Sequence, residues 1–376
     1  MDDIALEYGL SFSEKKSKVI RINEECKDET WRLNGKEIKE DKTYKYLGIQ
    51  IKGGLMGGMD AMEERLRECR RVVGMIKFSS NRAGDRLLVG REAWKGMAVS
   101  KLMYGSGAIA GELKHIQCMD TMQNDMGRWL WRSGQNVSNA LIRGEIGWST
   151  FKEREAKVKL DWMRRIIFEE GLVSQIGRAT AAELGTVSKW WRRVDEIANM
   201  VGLEDLMNIL ALKFVNKEGL ARLDLSLSEK VWKAKIINSV ETWGMSKWRE
   251  RMGNSNEMLE YRSWKSKPGL EEYVNGGEGA RVRMLLRGGY LPVRGNEKFT
   301  WRNRNTMCKC GEVETTAHWL FVCRLYEEER NQWEDSVMDV ELLKGYTFDK
   351  ENNNKAIKYL ERMWRLRQRI EKDRED

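Results

Sequence analysis

Proline is almost missing from this chain of 376 residues, and Pro268 and Pro292 are the only two. Proline interrupts a helix because it lacks the backbone N–H and its ring clashes with the preceding turn. The long stretch before Pro268 can therefore form uninterrupted helices. We expect a mainly α-helical fold with a small α+β portion at the N-terminus.

Three stripes of apolar residues at helical spacing follow a glycine-rich break at residues 53–58. Each stripe predicts a helix with one buried face. The first stripe comprises Met59, Met62, Leu66, Cys69, Val72, Val73 and Ile76; the second comprises Leu87, Trp94, Met97, Ala98 and Leu102; the third comprises Ile109, Leu113, Ile116, Met119, Met122, Met126 and Trp129. We expect helices to continue to about residue 265, with most of the 16 tryptophans and 20 methionines in the core.

The first 52 residues show a mixed pattern of α and β signals. Residues 17–22 alternate in the manner of a strand, and Asn34-Gly35 predicts a tight hairpin because both turn positions need positive φ. Residues 43–52 predict one further strand with Gly48 inside it.

The composition changes again near Pro268 and Gly276-Gly277. We therefore expect four parts: residues 1–52, a helical region at 59–265, a basic segment with a Cys/His cluster at 270–335, and a charged helix at 336–376. This last helix would carry one apolar face, comprising Ile357, Leu360, Trp364 and Ile370.

The net charge of +9 favours an anionic partner, and nucleic acid is the commonest one, although many basic proteins have no such role. No run approaches the roughly 18–20 apolar residues that span a bilayer, and an acidic pair stands where a secretory signal would be basic. Six cysteines in a chain of this length do not indicate a disulfide framework. We expect an intracellular protein, nuclear or cytoplasmic, with no membrane partner.

The sharpest local pattern is C-x-C-x7-H-x4-C, formed by Cys308, Cys310, His318 and Cys323. Three thiolates and an imidazole make a tetrahedral zinc set, and Gly311 would let the backbone turn beneath the metal. The first spacing is tighter than usual, and the alternative is reduced structural cysteines beside an ordinary histidine. Half of the cysteines and one of the two histidines fall within this short segment, which favours zinc. Four protein ligands leave no place for water, so the predicted zinc site is structural.

A second pair, His115 and Cys118, lies at i and i+3 on a predicted helix. Only Cys26 and Cys69 remain to complete a site, and neither is near in sequence. We interpret the pair as packing or surface residues.

A basic segment precedes the Cys/His cluster, with aromatic residues interleaved. Its cations are Arg281, Arg283, Arg287, Arg294, Lys298, Arg302 and Arg304, and its aromatic residues include Tyr290, Phe299 and Trp301. Arginine contacts phosphate and aromatic rings stack on unpaired bases, which predicts binding to RNA or single-stranded DNA. The alternative is a solvated helix face and a loop whose aromatic side chains point into a core.

Three stretches, in order, resemble the C-terminal part of the reverse transcriptases of non-long-terminal-repeat retrotransposons, of the LINE or jockey type. Residues 9–18 (GLSFSEKKSK) resemble the segment after the catalytic hairpin, residues 44–49 (YKYLGI) resemble the primer-grip strand, and residues 308–330 resemble the C-terminal Cys/His knuckle. Between them, residues 140–148 (ALIRGEIGW) are similar to a stretch that follows the thumb in insect-type members.

The resemblance implies that residues 1–52 are the last edge of a palm, and that about 59–135 form a helical thumb that holds primer and template. It implies that Tyr46, Leu47 and Gly48 place the primer end. It also makes Lys16 a candidate proton donor to the leaving pyrophosphate, although Lys16 equally fits a solvated lysine.

The chain departs from this family in its catalytic carboxylates. Polymerisation needs carboxylates that hold two metal ions, whereas Asp2-Asp3 stand only five residues before Gly9 and suit the start of a helix at 4–8. We expect no polymerase activity from this chain alone, so Mg²⁺ would belong only to a full-length relative.

Three functions remain open at this stage. The chain could be a truncated reverse transcriptase, inactive alone, whose partner is the missing polymerase portion or none. It could be a repurposed nucleic-acid-binding protein, or a helical protein-interaction module with a structural Cys/His cluster.

Overall fold

The computed structural model describes residues 7–13, 15–22, 30–33, 35–53, 58–59, 62–109, 112–184, 188–204, 229–253, 256–299, 305–332 and 353–373. Helices make up most of these residues, and strands occur only near the N-terminus of the described chain. The expected fold class is therefore confirmed: mainly α, with a small β-containing N-terminal part.

The hairpin predicted at Asn34-Gly35 is confirmed. Strands β1 (Trp31–Leu33) and β2 (Lys36–Ile38) pair antiparallel, with Leu33 opposite Lys36. Gly35 has a φ of +73°, the left-handed conformation that such a turn requires.

The single strand predicted for residues 43–52 is wrong, because this stretch is itself a hairpin. Strands β3 (Thr43–Tyr46) and β4 (Ile49–Lys52) pair antiparallel around Leu47 and Gly48. These two residues have φ values of +46° and +78°, as a type I′ turn demands. Leucine is uncommon at a positive φ, so the sequence does not indicate a turn here.

Two other N-terminal expectations also change. Within residues 17–22 the described backbone makes an isolated parallel bridge, Val19 to Glu40, and no strand. Met59 lies in β5 (Gly58–Met59), opposite Ile51 of β4, so the helix predicted to include it begins at Met62 instead.

The helices follow in chain order. They are α1 (Met62–Arg82), α2 (Arg86–Ala93), α3 (Ser100–Met103), α4 (Leu113–Trp131), α5 (Asn139–Ile146), α6 (Phe151–Phe168), α7 (Leu172–Leu184), α8 (Lys189–Met200), α9 (Glu229–Arg251), α10 (Asn256–Trp264), α11 (Glu278–Arg287), α12 (Glu327–Asn331) and α13 (Asn353–Lys372). Among the described residues, no helix is both long enough and apolar enough to cross a bilayer.

The predicted apolar stripes form buried faces, with two exceptions that have local causes. Met97 is exposed because residues Trp94–Val99 form a π-helical turn between α2 and α3, which shifts the helical register. Leu113 is exposed at the first position of α4, whereas Ile109 is buried in the turn before that helix.

One hydrophobic core joins distant parts of the sequence. It contains buried side chains of α1 to α5, and it continues with described residues between Trp248 and Trp364. The Cys/His segment and α13 therefore pack into the same core as α1 and α4.

A second core is formed by α6, α8 and the first half of α9. Helices α6 and α9 pack against each other and reach both cores, since Phe151 and Trp248 lie in the first core while Leu160 and Val240 lie in the second. Gly244 permits this crossing, because a β-carbon there would overlap the carboxylate of Glu153 on α6.

Candidate functional site

The first two cysteines of the cluster lie in a tight turn. Met307 and Val313 form an antiparallel bridge, and the Cys308 N–H donates to the carbonyl of Glu312 at 2.7 Å. Gly311 has a φ of +98°, and its N–H donates to the carbonyl of Cys308 at 3.1 Å. The turn thus depends on the positive φ of Gly311, as the sequence predicted.

The other two residues of the cluster bracket one π-helical turn, His318–Val322. The Thr315 hydroxyl accepts from the His318 N–H at 3.0 Å, and the Cys323 N–H donates to the His318 carbonyl at 2.8 Å. This wide turn brings His318 and Cys323 to the same side of the backbone.

The four predicted ligands converge in space. Cys308 Sγ lies 3.6 Å from Cys323 Sγ, and Cys310 Sγ lies 3.2 Å from His318 Nε2. All four donor atoms lie within 4.8 Å of one another. Cys308, His318 and Cys323 are buried and Cys310 is half-buried. The cluster could hold a metal ion, as the sequence spacing predicted.

A carboxylate orients the histidine from outside the cluster. Glu312 Oε2 lies 2.9 Å from His318 Nδ1, so Nδ1–H can donate to the carboxylate while Nε2 faces Cys310. An outer carboxylate of this kind fixes the tautomer of a metal-binding histidine. Sequence reasoning missed Glu312, although its place after Gly311 in the same turn was visible.

Burial raises the pKa of the Cys308 thiol, and it raises the pKa of the Cys323 thiol to about 12. Without a cation, these thiols therefore stay protonated near neutral pH. A metal ion must displace those protons, because the thiolate is the form that binds metal.

The C-terminal helix α13 packs against the segment that contains the Cys/His cluster. Trp319, next to His318, is fully buried and meets Trp364 edge to face, with ring centroids 5.7 Å apart. Arg367 donates twice to the buried carboxylate of Glu314, at 2.8 Å for each bond. The Cys/His cluster is thus part of the main core rather than a separate appendage.

The basic segment before the cluster faces largely inward. Arg283 and Arg287 are buried on α11, and both guanidinium groups lie 4.6 Å from the ring centroid of Tyr273. Arg287 also donates to Glu271 at 2.8 Å and lies 3.5 Å from the buried carboxylate of Glu145. This position argues against the predicted nucleic-acid contact for Arg283 and Arg287, because an external phosphate cannot reach them.

The pKa values of this buried group reflect its crowded charges. Desolvation, with the neighbouring Arg287, lowers the pKa of Arg283 to about 10. Burial alone would lower the pKa of Arg287, but Tyr273, Glu145 and Glu271 outweigh it and raise that pKa. These side chains stabilise the packing of α11 against α5 and the segment before α11.

Three other predicted cations already have partners within the protein. Arg281 donates to Glu278 at 2.5 Å, and Arg294 donates to Glu371 of α13 at 2.8 Å. Lys298 donates to the carbonyl of Gly289 at 3.2 Å and lies over the Tyr290 ring. The remaining predicted residues of this segment, Trp301, Arg302 and Arg304, lie outside the described residues.

The primer-grip-like residues are at the surface. Tyr46 and Leu47 are exposed at the tip of the β3–β4 hairpin, and the Tyr104 hydroxyl donates to the Leu47 carbonyl at 2.8 Å. Lys16 is also exposed, and its carbonyl accepts from the Tyr44 hydroxyl at 3.2 Å. Asp2 and Asp3 lie outside the described residues, as does most of the helix expected at 4–8.

Sequence reasoning missed a second candidate surface, which we call the α1 arginine face. It is the exposed side of α1 opposite the buried stripe, and it comprises Arg67, Arg70, Arg71, Gly74, Met75, Phe78 and Arg82. Among the described residues, no ion pair involves any of its four arginines. The signal was available, since these residues repeat at helical spacing between the apolar positions.

His115 and Cys118 lie on α4, and the imidazole nitrogens of His115 are buried without a hydrogen-bond partner. Within the part of the chain that the structure describes, a single cluster of cysteine, histidine or carboxylate side chains could hold a metal ion. It comprises Cys308, Cys310, His318 and Cys323.

Comparison with known proteins adds no relative: no protein-family model, no curated protein and no solved structure matches this chain.

Proposed function

We propose that this protein binds single-stranded nucleic acid through the α1 arginine face, and that a structural zinc ion stabilises its C-terminal part. The observation that carries the proposal is the set of four exposed arginines along one side of α1, none of which forms an ion pair with a carboxylate of the described chain.

The length and charge of this face suit a phosphate backbone. Arg67 and Arg82 are fifteen positions apart, which corresponds to about 22 Å along a helix. Arg70 and Arg71 lie between them. The acids beside this strip, Glu64 and Glu68, are paired with Lys45 at 3.7 Å and with Lys101 at 2.6 Å. A cationic strip of this kind binds phosphates and releases their counterions.

Apolar side chains interrupt the arginines on the same face. Phe78 is 61% exposed and Met75 is 57% exposed. A helix face with no role beyond contact with water would carry polar residues at these positions. The Arg82 guanidinium stacks on the Phe78 ring at 3.6 Å. A ring beside unpaired cations favours unstacked bases over a closed duplex, because an exposed aromatic ring can stack on a base. We therefore propose RNA or single-stranded DNA as the partner.

The Cys/His cluster supports zinc in particular. Zinc–sulfur and zinc–nitrogen bond lengths of about 2.3 Å and 2.0 Å place two tetrahedral sulfurs about 3.8 Å apart and a sulfur and a nitrogen about 3.5 Å apart. The observed 3.6 Å and 3.2 Å are close to these values. Three soft thiolates with one imidazole also favour zinc over the hard cations that prefer oxygen.

A more specific proposal is that the chain is the C-terminal part of a retrotransposon RNA-directed DNA polymerase. It rests on the resemblance of residues 9–18, 44–49 and 308–330, and on the place of α1 in the thumb-like segment 59–135. Reading the encoding DNA upstream of Met1 tests it. An in-frame aromatic-x-Asp-Asp hairpin supports the polymerase origin, and its absence would leave nucleic-acid binding alone.

The binding test uses fluorescence anisotropy with labelled single strands of about 20 nucleotides, longer than a typical single-strand site. The variant Arg67→Gln/Arg71→Gln should weaken binding about a hundredfold or more, since each of the two lost charge-assisted contacts costs roughly 1.5–3 kcal/mol. The matched control is Lys230→Gln/Lys233→Gln, which removes the same charge from exposed positions of α9.

Equal losses in the variant and its control would show that net charge, and not this face, attracts the strand. No binding by the parent protein would exclude the proposed function. It would favour the protein-interaction alternative, for which the exposed apolar residues Leu172, Val173 and Ile176 of α7 provide a surface.

A further inference from the structure

A small polar cavity lies where α4, the start of α6 and the end of α9 meet. Its volume is about 130 Å³. Four cations line it together with one acid and one aromatic ring, namely Arg143, Lys152, Lys247, Arg251, Asp120 and Trp243. The cavity is remote in sequence from the α1 arginine face and from the Cys/His cluster.

Two of the four cations are already neutralised. Arg143 donates to both oxygens of Glu153, at 2.7 and 2.8 Å, and Lys247 lies 2.7 Å from Glu250. These pairs hold their side chains in place at the wall of the cavity.

The other two cations, Lys152 and Arg251, make no ion pair with any described residue. The acid in the wall, Asp120, accepts the N–H of Phe151 at 2.7 Å, and its single negative charge can offset only one of these two cations. The cavity therefore keeps an excess of positive charge.

The neighbouring positive charges act on the ammonium group of Lys152. Burial lowers the pKa of Lys152, and the positive charges of Arg193, Arg251 and Lys247 lower it further against the opposite effect of Glu155. A bound anion would relieve that repulsion. The positive end of α6 adds to the same field, because the N-terminus of a helix carries a partial positive charge.

The cavity has room for a small anion. Its volume of about 130 Å³ exceeds what a single water molecule needs, so it admits a tetrahedral oxyanion such as phosphate.

We propose that this cavity binds a phosphate group, with Lys152 and Arg251 as its principal ligands and Arg143 and Lys247 at its edge. The phosphate can come from free inorganic phosphate or from the terminal phosphate of a nucleic-acid strand. The site is independent of the α1 arginine face.

Inorganic phosphate is the first probe, measured by thermal unfolding and by calorimetric titration of the full chain. Sodium chloride at equal ionic strength is the reference. Phosphate should raise the Tm in a saturable manner, because a ligand that binds only the folded state stabilises it. The variants Lys152→Gln and Arg251→Gln should each weaken phosphate binding about tenfold, as expected for loss of a charged hydrogen bond.

Two further variants keep the test decisive. Lys233→Gln removes one charge from α9 at an exposed position away from the cavity, and should bind phosphate as the parent does. Lys152→Arg keeps the charge and should retain binding, which separates loss of the ligand from loss of folding. Phosphate that acts no differently from chloride, or variants that bind it as tightly as the parent, would overturn the proposal.

Oligonucleotides that differ only in a 5′-phosphate distinguish the two sources. If the phosphorylated strand competes with inorganic phosphate and the unphosphorylated strand does not, the cavity takes a strand terminus. If neither competes, it takes free phosphate. Phosphate binding should persist in Arg67→Gln/Arg71→Gln, so failure of the proposed nucleic-acid surface and failure of this site are distinguishable.

Discussion

At the scale of single residues, Cys308, Cys310, His318 and Cys323 are brought together by two unlike turns. One turn depends on Gly311 at positive φ, and the other is a wide helical turn that begins at His318. Burial raises the pKa of the Cys308 and Cys323 thiols, so a metal ion must displace their protons to bind. A metal ion held by all four side chains would stabilise the folded state, because only the folded chain brings these ligands together.

We predict that Cys323→Ser lowers the zinc content of the purified protein from about one ion per chain to well below one. A serine hydroxyl is a far weaker zinc ligand than a thiolate. Residues 308–323 should also lose protection in hydrogen exchange. Metal analysis by mass spectrometry measures the first effect.

Cys118→Ser is the matched control, since Cys118 is half-buried on α4 outside the cluster. It should keep the full zinc content. A parent protein that contains no zinc would contradict the proposed site.

The sequence predicted this cluster, but it did not show that Arg283 and Arg287 beside it are buried. Ligand spacing is a local property, and the turns that bring the ligands together are encoded within sixteen residues. The burial of Arg287 depends on Tyr273 and Glu145, which come from other elements of the fold. No local pattern in the basic segment could reveal those partners.

At the scale of elements, α13 connects the Cys/His cluster to the main core. Its contacts are the Trp364–Trp319 ring pair and the two hydrogen bonds from Arg367 to Glu314. Glu314 is buried, so it depends on Arg367 to compensate the cost of losing water.

We predict that Arg367→Ala destabilises the protein by about 3–5 kcal/mol, because the buried carboxylate of Glu314 loses its ion pair and keeps the N–H of Arg294 as a hydrogen-bond donor. The free energy of unfolding in urea measures this change. Arg365→Ala provides the control on the same helix, since Arg365 is exposed and its one ion pair within the described residues is with Glu361. The control should stay within about 0.5 kcal/mol of the parent. Similar losses in both variants would disprove the special role of the buried pair.

Element boundaries show what a sequence pattern can and cannot reveal. Asn-Gly identified the β1–β2 hairpin because both residues favour the required turn. Leu47-Gly48 makes the same kind of turn, but a leucine at positive φ is held there by tertiary contacts, including the hydrogen bond from Tyr104. The π-helical turn at Trp94–Val99 likewise leaves no mark in the apolar spacing.

At the scale of the whole molecule, the crossing of α6 and α9 joins two cores. Gly244 lies at this crossing, where the carboxylate of Glu153 occupies the space that a β-carbon would need. The same carboxylate pairs with Arg143 and caps α6 through Thr150. A change at Gly244 should therefore affect both cores.

We predict that Gly244→Ala destabilises the protein by roughly 1–3 kcal/mol through overpacking, despite the better helix propensity of alanine. Gly74→Ala is the matched control. Gly74 is also inside a long helix, but a β-carbon there meets no atom within 4 Å. The control should stabilise the protein by about 0.5–1 kcal/mol. Thermal unfolding measures the stability of both variants. We expect Gly244→Ala to lower the Tm and Gly74→Ala to raise it.

In the proposed function, the α1 arginine face binds the phosphate backbone of a single strand. The salt dependence of that binding is the most direct test of this function. If all four arginines contact phosphates, the plot of log affinity against log salt concentration should have a slope of about −3. Arg67→Gln/Arg71→Gln should reduce the slope to about −1.4, because two contacts remain. A slope near zero for the parent protein, or a slope that the double substitution leaves unchanged, would contradict the account.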